Sequence, residues 1–246
     1  MNGNRAPLRP LVTGLFLALL LSLPGQAAHA PAPRTQPQAI DPPFVFEAPL
    51  PASRPVSAGW FSDALFIGEV RMEELTSAGL FQPGLSLAQM GLNIRDLRSG
   101  NVFTLNGQRV TLEQMLEGSA CQKVYLMLGF NEASWMSQED FYEEYSCLID
   151  DLRQLLPHAQ IYIQTLIPVT VSRAAARTPD NTLLAGYSAL LSQLARDKQV
   201  YLVDVGAHFT ETTGALPPSL SLDGLHLTAE GNAQWFQYLR THTMGT

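Results

Sequence analysis

The sequence predicts an α/β protein, a three-layer α/β/α sandwich around a mainly parallel central sheet. Three observations carry this expectation. Four short apolar runs are continuous rather than alternating, as in parallel strands covered on both faces. Amphipathic stretches with capping residues lie between them, and an Asn-Gly pair marks one β-hairpin.

The chain opens with Arg5 and Arg9 ahead of the apolar run Leu11 to Leu23, followed by "PGQAAHA" with small residues suited to cleavage after Ala27. As a helix that run spans about 20 Å, short of the roughly 30 Å hydrocarbon core. Residues 1–27 therefore read as a signal peptide, with an uncleaved anchor as the alternative; both place the domain outside the cytoplasm, secreted or in the cell envelope. Any membrane contact is then through this segment alone. Residues 28–59 are dense in proline and read as a semi-rigid spacer, the alternative being an arm that docks through Phe44, Val45 and Phe46.

Residues 60–246 form the expected domain. Its strands are "ALFI" (Ala64 to Ile67), "VYLML" (Val124 to Leu128), "IYIQTLI" (Ile161 to Ile167) and "VYLVDV" (Val200 to Val205). Ser137 and Asp140 cap a helix that carries Phe141, Tyr145, Leu148, Leu152 and Leu155 at helical spacing and closes before Pro157. A second helix presents Leu183, Leu184, Tyr187, Leu190, Leu191 and Leu194, and a third runs from a Thr228 cap through Ala233, Phe236 and Leu239. Asn106-Gly107 within "NVFTLNGQRVTL" is the hairpin, an excursion at the sheet edge or a flap.

Composition narrows the function. With 246 residues, 46% of them hydrophobic, the chain can bury one substantial core. The net charge is −7, and the only charges in the first 27 residues are two arginines, so the remainder is more acidic still. No basic stripe is available for nucleic acid or anionic lipid, and a neutral or cationic substrate is favoured. Cys121 and Cys147 are expected at heights roughly 10 Å apart along strand and helix. A disulfide tolerates about 7 Å between Cα atoms, so two unpaired, mostly buried thiols are expected. His158 and His208 lack a second ligand at metal-site spacing, and no metal or cofactor is expected.

In a parallel sheet ligands bind beyond the carboxyl ends of the strands, so the residues just after each strand are the site candidates. They are Gly68-Glu69-Val70-Arg71, Gly91 in "QMGLNI", Asn131-Glu132 in "LMLGFNEASW", the loop Pro168 to Ser172, and Asp223-x-x-His226 in "DGLHLTAEG". Gly68, Gly91, Asn131 and Asp223-x-x-His226, in that order and spacing, resemble the four sequence blocks of the SGNH/GDSL hydrolases, over about Trp60 to His242.

The resemblance implies a flavodoxin-like SGNH fold and serine ester hydrolysis. It implies roles position by position: His226 as general base, Asp223 as the carboxylate that orients it, and Gly91 and Asn131 in the oxyanion hole. The first block departs from the family's Gly-Asp-Ser. Val70 stands where the nucleophilic serine belongs and Glu69 where an aspartate belongs, which together predict a turn no longer held to a catalytic shape. Glu69, Arg71, Glu132 and Trp135 are candidate substrate contacts, with Tyr142 a further aromatic at the cleft. Ser134, Ser172 and Ser221 lie in loops from which a hydroxyl could substitute.

Three functions follow. The leading one is an exported SGNH-type protein without its nucleophile, binding a small-molecule or glycan ester, with acyl or acetyl esters of cell-envelope glycans or other carbohydrates as the class. The second is a surviving esterase in which His226 activates water or a loop serine attacks. The third is a non-catalytic cell-surface interaction module.

Overall fold

The computed structural model describes residues 44–100 and 102–245. The signal-peptide segment and the first part of the spacer lie outside the described residues. The strands are β1 (Ala64–Gly68), β2 (Leu85–Ala88), β3 (Phe103–Leu105), β4 (Gln108–Val110), β5 (Lys123–Met127), β6 (Gln160–Gln164) and β7 (Tyr201–Val203). Five of them form a parallel sheet in the order β2-β1-β5-β6-β7, while β3 and β4 pair only with each other.

The helices are α1 (Val70–Ser77), α2 (Ile94–Ser99), α3 (Leu112–Leu116), α4 (Gln138–Leu155), α5 (Val171–Ala176), α6 (Asn181–Lys198), α7 (Val205–His208) and α8 (Ala229–Thr241). One layer contains α4, packed on α2 and α6, with Phe141, Tyr145 and Tyr187 in contact. The other contains α1 and α8, and there Trp235 Nε1 donates to Gln164 Oε1 at 2.9 Å. This is the expected sandwich. The caps at Ser137 and Thr228 form as read, their hydroxyls accepting from Asp140 N and Gly231 N.

The sheet register stacks aromatic rings across four strands. Phe66, Tyr125, Tyr162 and Tyr201 are successive partners, with ring centroids 4.9, 4.6 and 5.0 Å apart. The ladder ends on spacer residues: Phe44 and Phe46 each lie 5.3 Å from Tyr201. Leu50 is buried, and its N–H donates to Leu202 O at 2.8 Å, pairing with the edge strand β7. The part of the spacer from Phe44 onward is thus a docked arm, because its aromatic and leucine side chains find an apolar sheet edge.

Three further expectations change. β2 is an additional edge strand, and β6 and β7 leave the sheet at Gln164 and Val203, short of their apolar runs. Leu166, Ile167 and Val169 stay buried without strand pairing, which hydrophobicity alone cannot distinguish from a strand. Both cysteines are free, yet only Cys121 is buried; Cys147 lies on the solvent side of α4. The Asn106-Gly107 turn has both residues at positive φ, and its hairpin anchors to the body through buried Phe103 and Val110.

Candidate active site

The strand order reverses direction between β1 and β5, and in such sheets ligands bind in a crevice beyond the carboxyl ends at that point. Gly68 allows the approach of α1. A Cβ there would lie 2.5 Å from Met72 Cβ and 2.9 Å from Met127 O. Glu69 follows in extended conformation and Val70 is the first residue of α1, so its N–H belongs to the unpaired first turn of that helix.

Glu69 does not cap its own helix. Its Oε1 instead crosses to the loop after β5 and accepts from Gly129 N at 2.9 Å and Asn131 N at 3.2 Å. Glu132, fully buried, accepts from Ile94 N at 2.7 Å through Oε1 and so fixes the start of α2. Burial foremost, and then the charge of Glu132, pushes the Glu69 carboxyl up to about 8 against the pull of the two N–H bonds and Arg71. Burial raises Glu132 as well. The turn is therefore tied down at Glu69, which bonds it to the loop after β5, while Glu132 bonds that loop to the start of α2.

Arg71 and Glu132 are part of this frame rather than open to a substrate. Arg71 is 4% exposed, donates from Nη1 to Ile167 O at 2.9 Å and lies 4.9 Å over the Phe130 ring. Glu69 is likewise buried. Trp135, by contrast, is 51% exposed at the rim, with the Arg95 guanidinium 5.5 Å over its ring.

On the β2 side Glu73 Oε2 accepts from Met90 N at 3.0 Å. Gly91 follows at φ +80°, exposed and with open space where a Cβ would project. Asn131 donates one amide hydrogen from Nδ2 to Leu92 O at 2.8 Å, which leaves the second for a ligand. The two proposed oxyanion donors are thus on loops hydrogen-bonded to each other.

The loop before α8 supplies the acid–base pair. Asp223 Oδ1 accepts from Leu225 N and His226 N at 3.0 and 2.9 Å, and Oδ2 lies 2.7 Å from His226 Nδ1. Burial pushes the Asp223 carboxyl up, but the N–H bonds from His226 and Leu225 and the imidazole outweigh it and hold the group at about 2. An ionised carboxylate only accepts, so Nδ1 carries the hydrogen and Nε2 of the neutral ring is an acceptor. Ser221 Oγ donates to His226 O and accepts from Gly224 N, which latches the loop. Thr170 N donates to Gly224 O and ties this loop to the one after β6.

His226 Nε2 faces a residue that is not among the site candidates read from the sequence. Glu74 Oε1 lies 3.9 Å away. Its signal in the sequence is spacing, since position 74 is four residues after Val70 and shares its helix face. The loop serines do not reach the imidazole: Ser134 Oγ donates to Asn131 O, Ser172 pairs with the Thr170 hydroxyl and Ser221 serves as the latch. Among the described residues no group of three His, Cys, Asp or Glu side chains could hold a metal ion.

Comparison with known proteins is consistent with this geometry. Residues 79–234 match the model of the GDSL-like Lipase/Acylhydrolase family. The chain belongs to that family. The matched span includes Gly91, Asn131, Asp223 and His226 and begins after the divergent Gly68-Glu69-Val70 turn of this GDSL-like protein.

Solved structures share the fold. A Streptococcus pneumonia protein assigned as a platelet activating factor superposes with TM-score 0.59 at 21% identity, covering 72% of this chain and 81% of the other. A GDSL-like lipase from Bacteroides thetaiotaomicron gives 0.54 at 12%, covering 76% and 89%. A Slackia heliotrinireducens protein assigned as an SGNH hydrolase gives 0.55 at 18%, covering 74% and 98%. No curated protein matches the chain.

Proposed function

We propose that this GDSL-like protein is exported and binds an ester on the acylhydrolase scaffold without forming a serine acyl-enzyme. The observation that supports the reading is Val70 at the head of α1, directly after β1, where the resemblance places the nucleophile. Val70 N–H, Gly91 N–H and the second amide hydrogen of Asn131 are available to a carbonyl oxygen. Valine offers no nucleophile. In a well-studied protease, loss of the catalytic serine lowers kcat on the order of 10⁶-fold and leaves roughly 10³ to 10⁴ over water.

The ligand class is an acyl or acetyl ester of a neutral alcohol, with carbohydrate esters of the cell envelope favoured by the proposed export. Exposed Trp135 at the rim suits stacking on a sugar face. The acidity of the chain disfavours an anionic partner.

The test is Val70→Ser in the full chain, leaving Glu69 in place because it already holds the loops. Hydrolysis of p-nitrophenyl acetate should rise on the order of 10²-fold or more over the natural protein. A further His226→Ala change should abolish the gain. A folded Val70→Ser protein with no gain would show that the donors and His226 do not form a working site. An acyl adduct on the natural protein would show that another nucleophile has taken over.

A further inference from the structure

We infer that Glu74 is a catalytic residue of a residual hydrolysis in which water, held between Glu74 and His226, attacks the bound ester directly. This rests on the ester-binding reading above and adds a reaction and a residue to it.

The geometry is specific. Glu74 Oε1 and His226 Nε2 are 3.9 Å apart, too far for a hydrogen bond and close enough for one water to bond both. The side chains are 30% and 32% exposed, so the place between them is open to solvent yet partly shielded. Glu74 Oε2 is buried without a hydrogen-bond partner among the described residues, and Oε1 is the oxygen nearer the imidazole. Oε1 and Nε2 are both acceptors, because Asp223 fixes the hydrogen on Nδ1. A water there donates one hydrogen to Nε2 and the other to Oε1, so its lone pairs project away from both.

In the step itself, the water oxygen forms a bond to the ester carbonyl carbon while Nε2 takes its proton. The carbonyl electron pair moves onto oxygen, which the Val70, Gly91 and Asn131 N–H groups receive. Collapse breaks the bond to the alcohol oxygen, which leaves with the proton from the imidazolium. Ester and water become acid and alcohol, and no covalent enzyme species forms. Glu74 supplies the second hydrogen bond that orients the water and a negative charge beside the transient imidazolium.

The experiment measures p-nitrophenyl acetate hydrolysis by the full chain, Glu74→Gln, Glu74→Ala and His226→Ala. Intact mass is recorded after excess ester, and binding of the amide analogue 4-nitroacetanilide is followed by saturation-transfer NMR. The natural protein should exceed the His226→Ala rate with no acyl adduct. Glu74→Gln, close in shape but uncharged, should lose kcat by about tenfold to 10²-fold with KM and melting temperature unchanged. Glu74→Ala should lose at least as much. Analogue binding with natural, Glu74→Gln and His226→Ala rates all equal overturns the role of Glu74 and leaves the ester-binding reading standing. No analogue binding and no hydrolysis overturns both, and an acyl adduct overturns the direct attack of water.

Discussion

Two glutamates side by side in a protein interior set a pH dependence whose sign can be worked out. Glu69 and Glu132 are both buried, with Arg71 the cation and Tyr145 the hydroxyl that face them from α1 and α4. The Glu69 carboxyl stands at about 8 in the folded protein against an ordinary 4.5. Between those values the folded state keeps a proton that the unfolded chain has lost, so stability falls as pH rises through this window. Melting temperature should drop by several degrees from about pH 5 to about pH 8.5. Glu69→Gln should flatten the decline, because its carbonyl still accepts from Gly129 and Asn131 without a charge to bury. Parallel melting curves for the two proteins would exclude Glu69 as the cause. Asp223 and His226 were legible as partners through the resemblance to the last SGNH/GDSL block, since an Asp-x-x-His spacing alone is shared with ordinary surface turns. Glu74 was not, since charged residues on a helix are ordinarily solvated and only the fold brings His226 to it.

The elements differ in how much the sequence told of them, for a physical reason. Strands buried on both faces leave continuous apolar runs, which is why β1 and β5 were read nearly to their ends. β2 is an edge strand with half-exposed Leu85 and exposed Ser86, and its four residues carry no comparable signal. The arm posed the opposite problem: its prolines mark an extended chain, but docking depends on Tyr201 and Leu202, some 150 residues away. Here the arm supplies a backbone partner to β7 and covers the end of the aromatic ladder. Leu50→Ala should therefore cost about 2–4 kcal/mol in urea unfolding, the usual range for truncating a buried leucine. A protein beginning at residue 58 should self-associate through the uncovered strand, visible as added light scattering. A Leu50→Ala protein as stable as the natural one would reduce the arm to a passive tether.

At the scale of the whole molecule, the parallel sheet separates chemistry from support. The site candidates gather at the carboxyl ends of the strands, whereas Cys121 precedes β5 at the opposite end. That polarity was readable from strand order in the sequence; the mutual bonding of the loops was not, because it depends on backbone groups that every residue carries. The two free thiols make the polarity measurable. Exposed Cys147 should react with a thiol reagent in the folded protein, and buried Cys121 only when the core opens. A ligand that binds only the folded state lowers the population of opened molecules in proportion to its occupancy. Saturating 4-nitroacetanilide should therefore slow labelling of Cys121 and leave Cys147 unchanged, although neither thiol adjoins the crevice. Equal fast labelling of both thiols would mean that the strand end carrying Cys121 opens locally. Slowing at Cys147 alone would place the ligand on α4 instead, and a failure of both to label in denaturant until reductant is added would reveal a disulfide that the fold does not contain.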